Sequence, residues 1–279
     1  MRLYEYHKPD GLQEALDLLR RDSPRTTILA GGTWLNAEGS HQIEAVVDIG
    51  NLGLDKVMRI SSPPLLRLGA TTTLQAAVEE LREVPGLDII AKAAHAMSAL
   101  NLRNRTTVAG SIVTSDANSP LVVALLACDA DLILQADEER TVKLSAFLDY
   151  RERILAEKVI IKAVQMPIPS LDTVGSYQRI GRTSRDYPIV CAVARCAVKD
   201  GIVGNLRVAV GGVAPTPIRL SALEFALEKK PVKLNLERAL DEAVSTLTPQ
   251  GDWLGSSEYR KEMARVLVQR AIFEAAHIQ

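Results

Sequence analysis

Leu29-Ala30-Gly31-Gly32-Thr33-Trp34-Leu35-Asn36 is the stretch on which the fold of this chain turns. The residues before it, Thr26 to Ala30, read as a short strand that runs straight into the two glycines. Paired glycines let the backbone turn sharply and leave no Cβ to keep a ligand away. Successive N–H groups can then point into one concavity and hold a phosphate. Taken alone, the stretch reads as a plain tight turn before it reads as a phosphate cradle. It is not a Rossmann fingerprint, because no GxGxxG opens a helix and no acidic residue follows at the expected spacing. It is not a P-loop, because no GK[ST] follows.

Working outward, three regions differ in texture, and they set expected domains at 1–56, 57–169 and 170–279. In the first, Asp10 and Gln13 form a helix start of the capping-box type, and Leu12, Leu16 and Leu19 recur at helical spacing. A second apolar strand covers Ala45 to Ile49, and no long crossover helix follows the glycines. In the second region, Val57 to Ile60 and Leu65 to Ala70 flank Ser61-Ser62-Pro63-Pro64 as a strand pair. Thr72 and Gln75 give a second capping box ahead of Leu74 to Leu81. A helix over Leu87 to Leu100 leads into a polar loop, Asn101 to Thr107. Ser119 and Pro120 read as N-cap and N1 of a helix through Cys128. Strands near Asp131 to Gln135, Thr141 to Leu144 and Lys158 to Gln165 complete a sheet.

In the third region, strands near Thr173 to Ile180 and Ile189 to Val198 lead to Asp200-Gly201. That dipeptide is a hairpin turn signal, and the strand Ile202 to Val213 follows it. Helices over Ala222 to Glu228, Leu234 to Leu247 and Glu258 to Ala276 close the chain. The last places Met263, Val266, Leu267, Ala271 and Phe273 on an apolar face. The expected shape is a three-stranded antiparallel sheet covered by helices, within an α+β fold.

Composition narrows the function classes. The 279 residues are 47% hydrophobic and 24% charged, which is ordinary for a soluble globular protein. Aromatic residues make up 4%, too few for stacking platforms along single-stranded nucleic acid. The formal net charge is −1 with both signs mixed throughout, which speaks against nucleic acid and anionic membrane as partners. The polar opening, Met1 to Asp10, carries no apolar segment of the signal-peptide kind. Leu121 to Cys128, the longest apolar run, is too short to span a bilayer. Cys128, Cys191 and Cys196 lie in apolar segments and read as buried, reduced thiols of a cytoplasmic protein. His7, His41, His95 and His277 are scattered without metal-ligand spacing or carboxylate partners. No nucleophile triad or spaced carboxylate pair stands out, so the chain carries no visible catalytic residue and no metal ligand set.

A second candidate loop is Leu102-Arg103-Asn104-Arg105-Thr106-Thr107-Val108-Ala109-Gly110-Ser111. It reads either as a solvated loop or as a hydroxyl-rich, glycine-bearing turn. Two such loops, each after an apolar element, make joint binding of a diphosphate more plausible than either does alone. A third cluster, Arg179, Arg182, Arg185, Asp186 and Tyr187 around Gly181, reads as solvated unless the fold delivers it to the first two loops.

With these stretches in view, the chain resembles the FAD-binding subunit of the molybdenum hydroxylases over essentially its whole length. Ala30-Gly31-Gly32-Thr33 matches an AGGT loop, and Arg103-Asn104 with Thr107-Val108-Ala109-Gly110 matches R-N-x-x-T-I-G-G. Leu125-Leu126-Ala127 with Asp129-Ala130, then Gly211-Gly212-Val213-Ala214-Pro215-Thr216-Pro217 with Arg219, follow in family order. So does Gly255-Ser256 with Glu258-Tyr259-Arg260. The resemblance implies two FAD-binding subdomains of the vanillyl-alcohol-oxidase/PCMH type. It adds a C-terminal antiparallel sheet with helices, of the CO dehydrogenase flavoprotein kind. It implies that Ala30, Gly31, Gly32, Thr33 and Trp34, together with Thr107, Val108, Ala109, Gly110 and Ser111, hold the FAD pyrophosphate. It implies further that Asp186 and Tyr187 approach the flavin ring. The partners it implies are an iron–sulfur subunit and a large molybdopterin subunit, where substrate is oxidised. Electrons would pass from those clusters through FAD to NAD⁺ or another acceptor.

The chain departs from the family pattern at named positions. Ala109 replaces the first glycine of TIGG, Ser111 replaces an Asn, and Pro120 stands where relatives carry Asp. These departures keep open a flavin-free structural subunit of such a complex, and the same broad fold keeps open a self-contained flavin oxidoreductase.

Overall fold

Short runs of β-branched and aliphatic residues, bounded by glycine, proline or polar clusters, give short strands with small helices between them. The computed structural model describes residues 3–39, 42–183, 186–199 and 202–277. Along the chain come β1 (Glu5–His7), α1 (Leu12–Leu19), β2 (Thr26–Leu29), α2 (Thr33–Glu38), β3 (Ala45–Asp48), β4 (Val57–Ser61) and β5 (Pro64–Gly69). Next are α3 (Leu74–Leu81), α4 (Asp88–His95), α5 (Leu100–Arg103), α6 (Val108–Val113) and α7 (Pro120–Ala127). Then follow β6 (Asp131–Gln135), β7 (Glu139–Lys143), α8 (Leu144–Asp149), α9 (Arg151–Ala156) and β8 (Ile160–Pro167). The remainder is β9 (Thr173–Ile180), β10 (Val190–Lys199), β11 (Ile202–Gly211), β12 (Ile218–Arg219), α10 (Ser221–Leu227), α11 (Val232–Ser245) and α12 (Ser257–Ala275).

The chain forms two compact units. The first comprises Met1–Ala77, Ala99–Thr114 and Asp131–Met166. It contains a three-stranded sheet in the order β1-β3-β2, parallel throughout, with His7 and Ile28 both paired to Val47. Ala15, Leu16 and Leu19 of α1 bury against Val47, Ile49 and Ile160. Ile160 belongs to β8, so this small core ties the parallel sheet to a second one, ordered β4-β5-β8-β6-β7. Its outer pairs, β4 with β5 and β6 with β7, are antiparallel hairpins.

The second unit comprises Val78–Ser98, Ser115–Ala130 and Pro167–Gln279. Its antiparallel sheet runs β12-β11-β10-β9. β10 is buried at seven successive residues, Val190 to Cys196, as a strand covered on both faces must be. α7 and α12 both pack on β10 and β11. Every residue of α7 is buried, which explains why this segment shows no amphipathic period in the sequence.

Several local expectations change. The first helix is capped at Gly11 rather than Asp10, and Glu14, not Gln13, accepts from the Asp10 N–H at 3.0 Å. Before α3 the capping hydroxyl belongs to Thr73, which accepts from Ala76 at 3.2 Å, while Thr72 donates to the Asp55 carbonyl at 3.2 Å. The expected helix over 87–100 stops after His95, and Leu100–Arg103, assigned in part to the polar loop, makes a separate helical turn. The C-terminal sheet has four strands rather than three, because Ile218–Arg219 adds an edge to β11. On α12 the buried face is Ala264, Leu267, Val268, Ala271, Ile272 and Ala275, with Met263 and Phe273 at its margin. The strand β1 and the helices α2, α6, α8 and α9 escape the periodicity reading, being only three to six residues long. The turn at Asp200-Gly201 lies outside the described residues.

Candidate functional site

The first glycine loop is bent by β2 running into α2. Gly32 is the N-cap of α2 and has φ of 73°, a left-handed conformation that glycine adopts without steric cost. Gly31 is required for a different reason. A Cβ there would overlap the carbonyl oxygen of Arg105 and come within 3.3 Å of the Thr106 Cα. The first loop therefore lies directly on the second. Thr106 Oγ1 donates to Thr33 Oγ1 at 3.1 Å and closes the contact. The earliest α2 bond runs from the Asn36 N–H to the Gly32 carbonyl at 3.0 Å. The N–H groups of Thr33, Trp34 and Leu35 precede that bond and have no partner within the helix. Gly32, the N-cap, has no side chain to cap them.

The second loop is built differently. Thr107 caps α6 by accepting the Gly110 N–H at 3.2 Å. Val108 donates to the Thr72 carbonyl at 2.9 Å and Ala109 to the Ala70 carbonyl at 3.2 Å. Ser111 gives both its N–H and its hydroxyl to the Thr107 carbonyl, each at 2.9 Å. All four N–H groups from Val108 to Ser111 are thus engaged inside the protein. Ala109 stands in helical backbone, so its methyl group needs no unusual φ.

Both loops open onto one cavity of about 290 Å³ within the first unit. Ala30, Gly31, Gly32, Thr33 and Trp34 line it, and so do Thr107, Ala109 and Gly110. Val108 and Ser111 are not on its wall, and both are buried behind it. Aliphatic residues complete the enclosure, among them Ile28, Ile49, Leu155 and Ile161. Thr106, Thr114 and Lys158 also line it. Thr106 belongs to the hydroxyl-rich second loop read from the sequence. Lys158 falls between α9 and β8, far from either loop in sequence, and no local pattern marks it. The wall suits a large nucleotide: apolar surface for aromatic rings, hydroxyls for ribose, and unengaged N–H groups with one ammonium for phosphate.

Asp186 and Tyr187 belong to the second unit. Arg182 lies 3.4 Å from the Asp186 carboxylate, with its guanidinium 5.0 Å from the centre of the Trp253 ring. Arg179 donates to the Asp186 carbonyl. Arg179, Arg182 and Asp186 are therefore paired with one another rather than separately solvated, and Arg185 lies outside the described residues. Burial pushes the Tyr187 phenol well above its usual range, so it remains a protonated donor.

Other motif residues of the second unit pair with one another. Asp129 accepts from Arg207 at 2.7 Å and from Arg219, and Arg219 also reaches Glu224 at 2.5 Å. Burial raises the Asp129 carboxyl, but the Arg207 hydrogen bond and the Arg219 charge outweigh it and leave the group below its ordinary value. Arg260, 6% exposed, donates to the carbonyls of Ile189 at 2.8 Å and Gly212 at 3.2 Å. It also pairs with Asp252 at 2.7 Å. These motifs build the sheet and its helix contacts.

His7, expected to lack a carboxylate neighbour, lies 2.7 Å from Glu5, which also pairs with Arg21 at 2.9 Å. His41 lies outside the described residues. Among the described residues, no group of three or more His, Cys, Asp or Glu side chains is placed to hold a metal ion. No described helix is long and apolar enough to cross a membrane. The three cysteines are free and buried, and burial pushes the thiols of Cys128 up to about 11 and of Cys191 and Cys196 up to about 12.

Comparison with known proteins agrees with this geometry. Residues 2–169 match the FAD binding domain in molybdopterin dehydrogenase, and residues 175–275 match the CO dehydrogenase flavoprotein C-terminal domain. The chain is 27% identical to the xanthine dehydrogenase FAD-binding subunit of Escherichia coli O157:H7, over 97% of this chain and 95% of that one. It is also 27% identical to the carbon monoxide dehydrogenase medium chain of Hydrogenophaga pseudoflava, over 96% of each. The solved carbon monoxide dehydrogenase of that organism superposes with a TM-score of 0.89 over 99% of this chain and 98% of the other. Two family domains in order, a shared fold and a cavity suited to a nucleotide lead to one conclusion: this chain belongs to the FAD-binding medium subunits of the molybdenum hydroxylases, an oxidoreductase family, and FAD is its cofactor.

Proposed function

We propose that the chain holds FAD on its two joined loops and relays electrons within a larger complex. They would arrive from the clusters of an iron–sulfur subunit and leave to NAD⁺ or another acceptor, while a large molybdopterin subunit oxidises the substrate. The observation that carries this reading is the direct seating of Gly31 on the Arg105 carbonyl. It brings the unengaged first-turn N–H groups of α2 and the hydroxyls of Thr106 and Thr107 to one cavity wall.

Each loop has its own task in this reading. Thr33 and Trp34 donate backbone N–H groups to the pyrophosphate, and Ala30, Gly31 and Gly32 make the turn that presents them. Thr107, Ala109 and Gly110 shape the wall beside them. Val108 and Ser111 hold that wall from behind through their bonds to Thr72 and Thr107. Asp186 and Tyr187 are assigned to the flavin ring, where a protonated phenol donates a hydrogen bond without titrating. FAD supplies reversible one- and two-electron chemistry, which no side chain supplies. The cavity wall carries hydroxyls, backbone groups and one ammonium. That wall is equipped to bind and orient rather than to exchange protons. The division at 1–56, 57–169 and 170–279 and a cytoplasmic, reducing setting belong to the same reading, the latter supported by three buried free thiols.

Mixing the purified chain with FAD should give a yellow protein with a bound-flavin spectrum, and NADH should bleach it anaerobically. A chain that stays colourless both alone and with its partner subunits would exclude the flavin role. Bound FAD that NADH does not bleach, but another reductant does, would exclude NAD⁺ as the acceptor only.

A further inference from the structure

Among the described residues lining the cavity, Lys158 alone carries a charge. It follows the C-cap residue Glu157 of α9, donates its N–H to the Leu155 carbonyl at 3.1 Å, and has φ of 56°. This left-handed position after a helix is normally glycine, because a Cβ is strained there. The side chain is exposed, and no ion pair to it occurs among the described residues. Its acidic neighbour Glu157 is held by Arg140 at 2.5 Å. Attraction to the negative end of the helix would explain a cation near this terminus. Arg153 already stands in the last turn of α9, however, so that attraction gives no reason for a lysine at the strained position.

The reading of the cavity as an FAD site leaves a charge unanswered. The dinucleotide carries a dianionic diphosphate, whereas the N–H groups of Thr33 and Trp34 are dipoles without net charge. On the second loop the N–H groups are already engaged by Thr72, Ala70 and Thr107. We propose that Lys158 is the countercharge for the diphosphate, its flexible stem carrying the ammonium from the rim to the phosphate oxygens. A charge-assisted bond of this kind is stronger than a neutral one and weakens as salt screens it. The strained lysine is then kept for binding, at the expense of the unliganded fold.

This inference rests on FAD occupying the cavity, and the experiment separates the two. Affinities for FAD and for riboflavin, which has the ring system without phosphate, are measured at low and high salt. The chains compared are wild type, Lys158→Met, Lys158→Gly and Lys158→Arg. The expected result is FAD binding roughly tenfold weaker in the Met and Gly variants, with a shallower salt dependence and unchanged riboflavin affinity. Lys158→Arg should stay within about threefold of wild type. Lys158→Gly without ligand should melt no lower than wild type, which separates lost binding from lost folding. Equal FAD affinity and equal salt dependence in wild type, Met and Gly variants would overturn the role of Lys158 and leave the cavity reading standing. A folded wild-type chain that binds no FAD would overturn both.

Discussion

The hydroxyl of Thr106 donates to that of Thr33 across 3.1 Å, joining two loops 73 residues apart in the chain. The bond sits beside the place where Gly31 meets the Arg105 carbonyl, so the loops are held at fixed spacing before any ligand arrives. Removing the bond with Thr106→Val should cost about 1 kcal/mol of stability. It should weaken FAD binding more than it lowers the unfolding midpoint would suggest. Denaturant unfolding and flavin titration of the same preparation check this, and an unchanged affinity would show that the spacing does not depend on the bond.

Gly31→Ala should be far more damaging than Gly32→Ala. At 31 a methyl group overlaps backbone, and backbone yields only by moving a loop, which costs about 2–3 kcal/mol. At 32 the nearest obstacle is a Leu29 methyl at 3.2 Å, and the cost is that of φ 73° alone, about 1 kcal/mol. Urea midpoints of the two variants would rank them, and the reverse order would refute the steric account.

Ala109→Gly should not improve FAD binding by more than about twofold, and it should lower stability by about 0.5–1 kcal/mol. Ala109 occupies helical backbone whose N–H already serves Ala70, so a glycine there frees no donor. A large gain in affinity on titration would mean that the methyl group obstructs the cofactor.

Acid should loosen the second unit through Asp129. Its folded carboxyl titrates below the ordinary value, so its contribution is fully present above the unfolded pKa. It is lost as pH falls through the depressed folded one. Asp129→Asn leaves Arg207 and Arg219 facing a neutral amide and should cost about 2 kcal/mol at neutral pH, discounted for partial exposure. The wild-type and Asn melting curves should therefore converge toward low pH. Parallel curves would show that Asp129 is not the group responsible.

Native protein should resist alkylation by iodoacetamide at pH 8. Cys128, Cys191 and Cys196 are buried, and their thiols are pushed up to about 11, 12 and 12. All three should react after denaturation, as intact mass would record. Labelling of a native thiol would place it at a surface.

The longer elements of the fold were legible because each has a period. The run Leu74 to Leu81 and the hairpin about Ser61-Ser62-Pro63-Pro64 fall where spacing and turn residues put them. Elements too short to show a period, α2 and α6 among them, escape that reading. On α12 the expected Leu267 and Ala271 are buried, Met263 and Phe273 stand at the margin, and the rest of the face is Ala264, Val268, Ile272 and Ala275. At the site, Gly31 and Gly32 were legible as glycines, but not that they serve different ends. Lys158 was illegible because tertiary folding alone carries it to the cavity. Asp129, Arg219, Gly212 and Arg260 were read only as family landmarks. They prove to be partners, Asp129 with Arg219 and Gly212 with Arg260.

The seat of Gly31 on Arg105 also bears on what a glycine motif can testify to. The missing side chain makes room for this protein's own carbonyl, not for a visitor's phosphate. A descendant that had abandoned its flavin would still need that glycine merely to fold. Its survival in a sequence is therefore a record of architecture, and proof of an occupant must be sought in residues that the empty protein could do without.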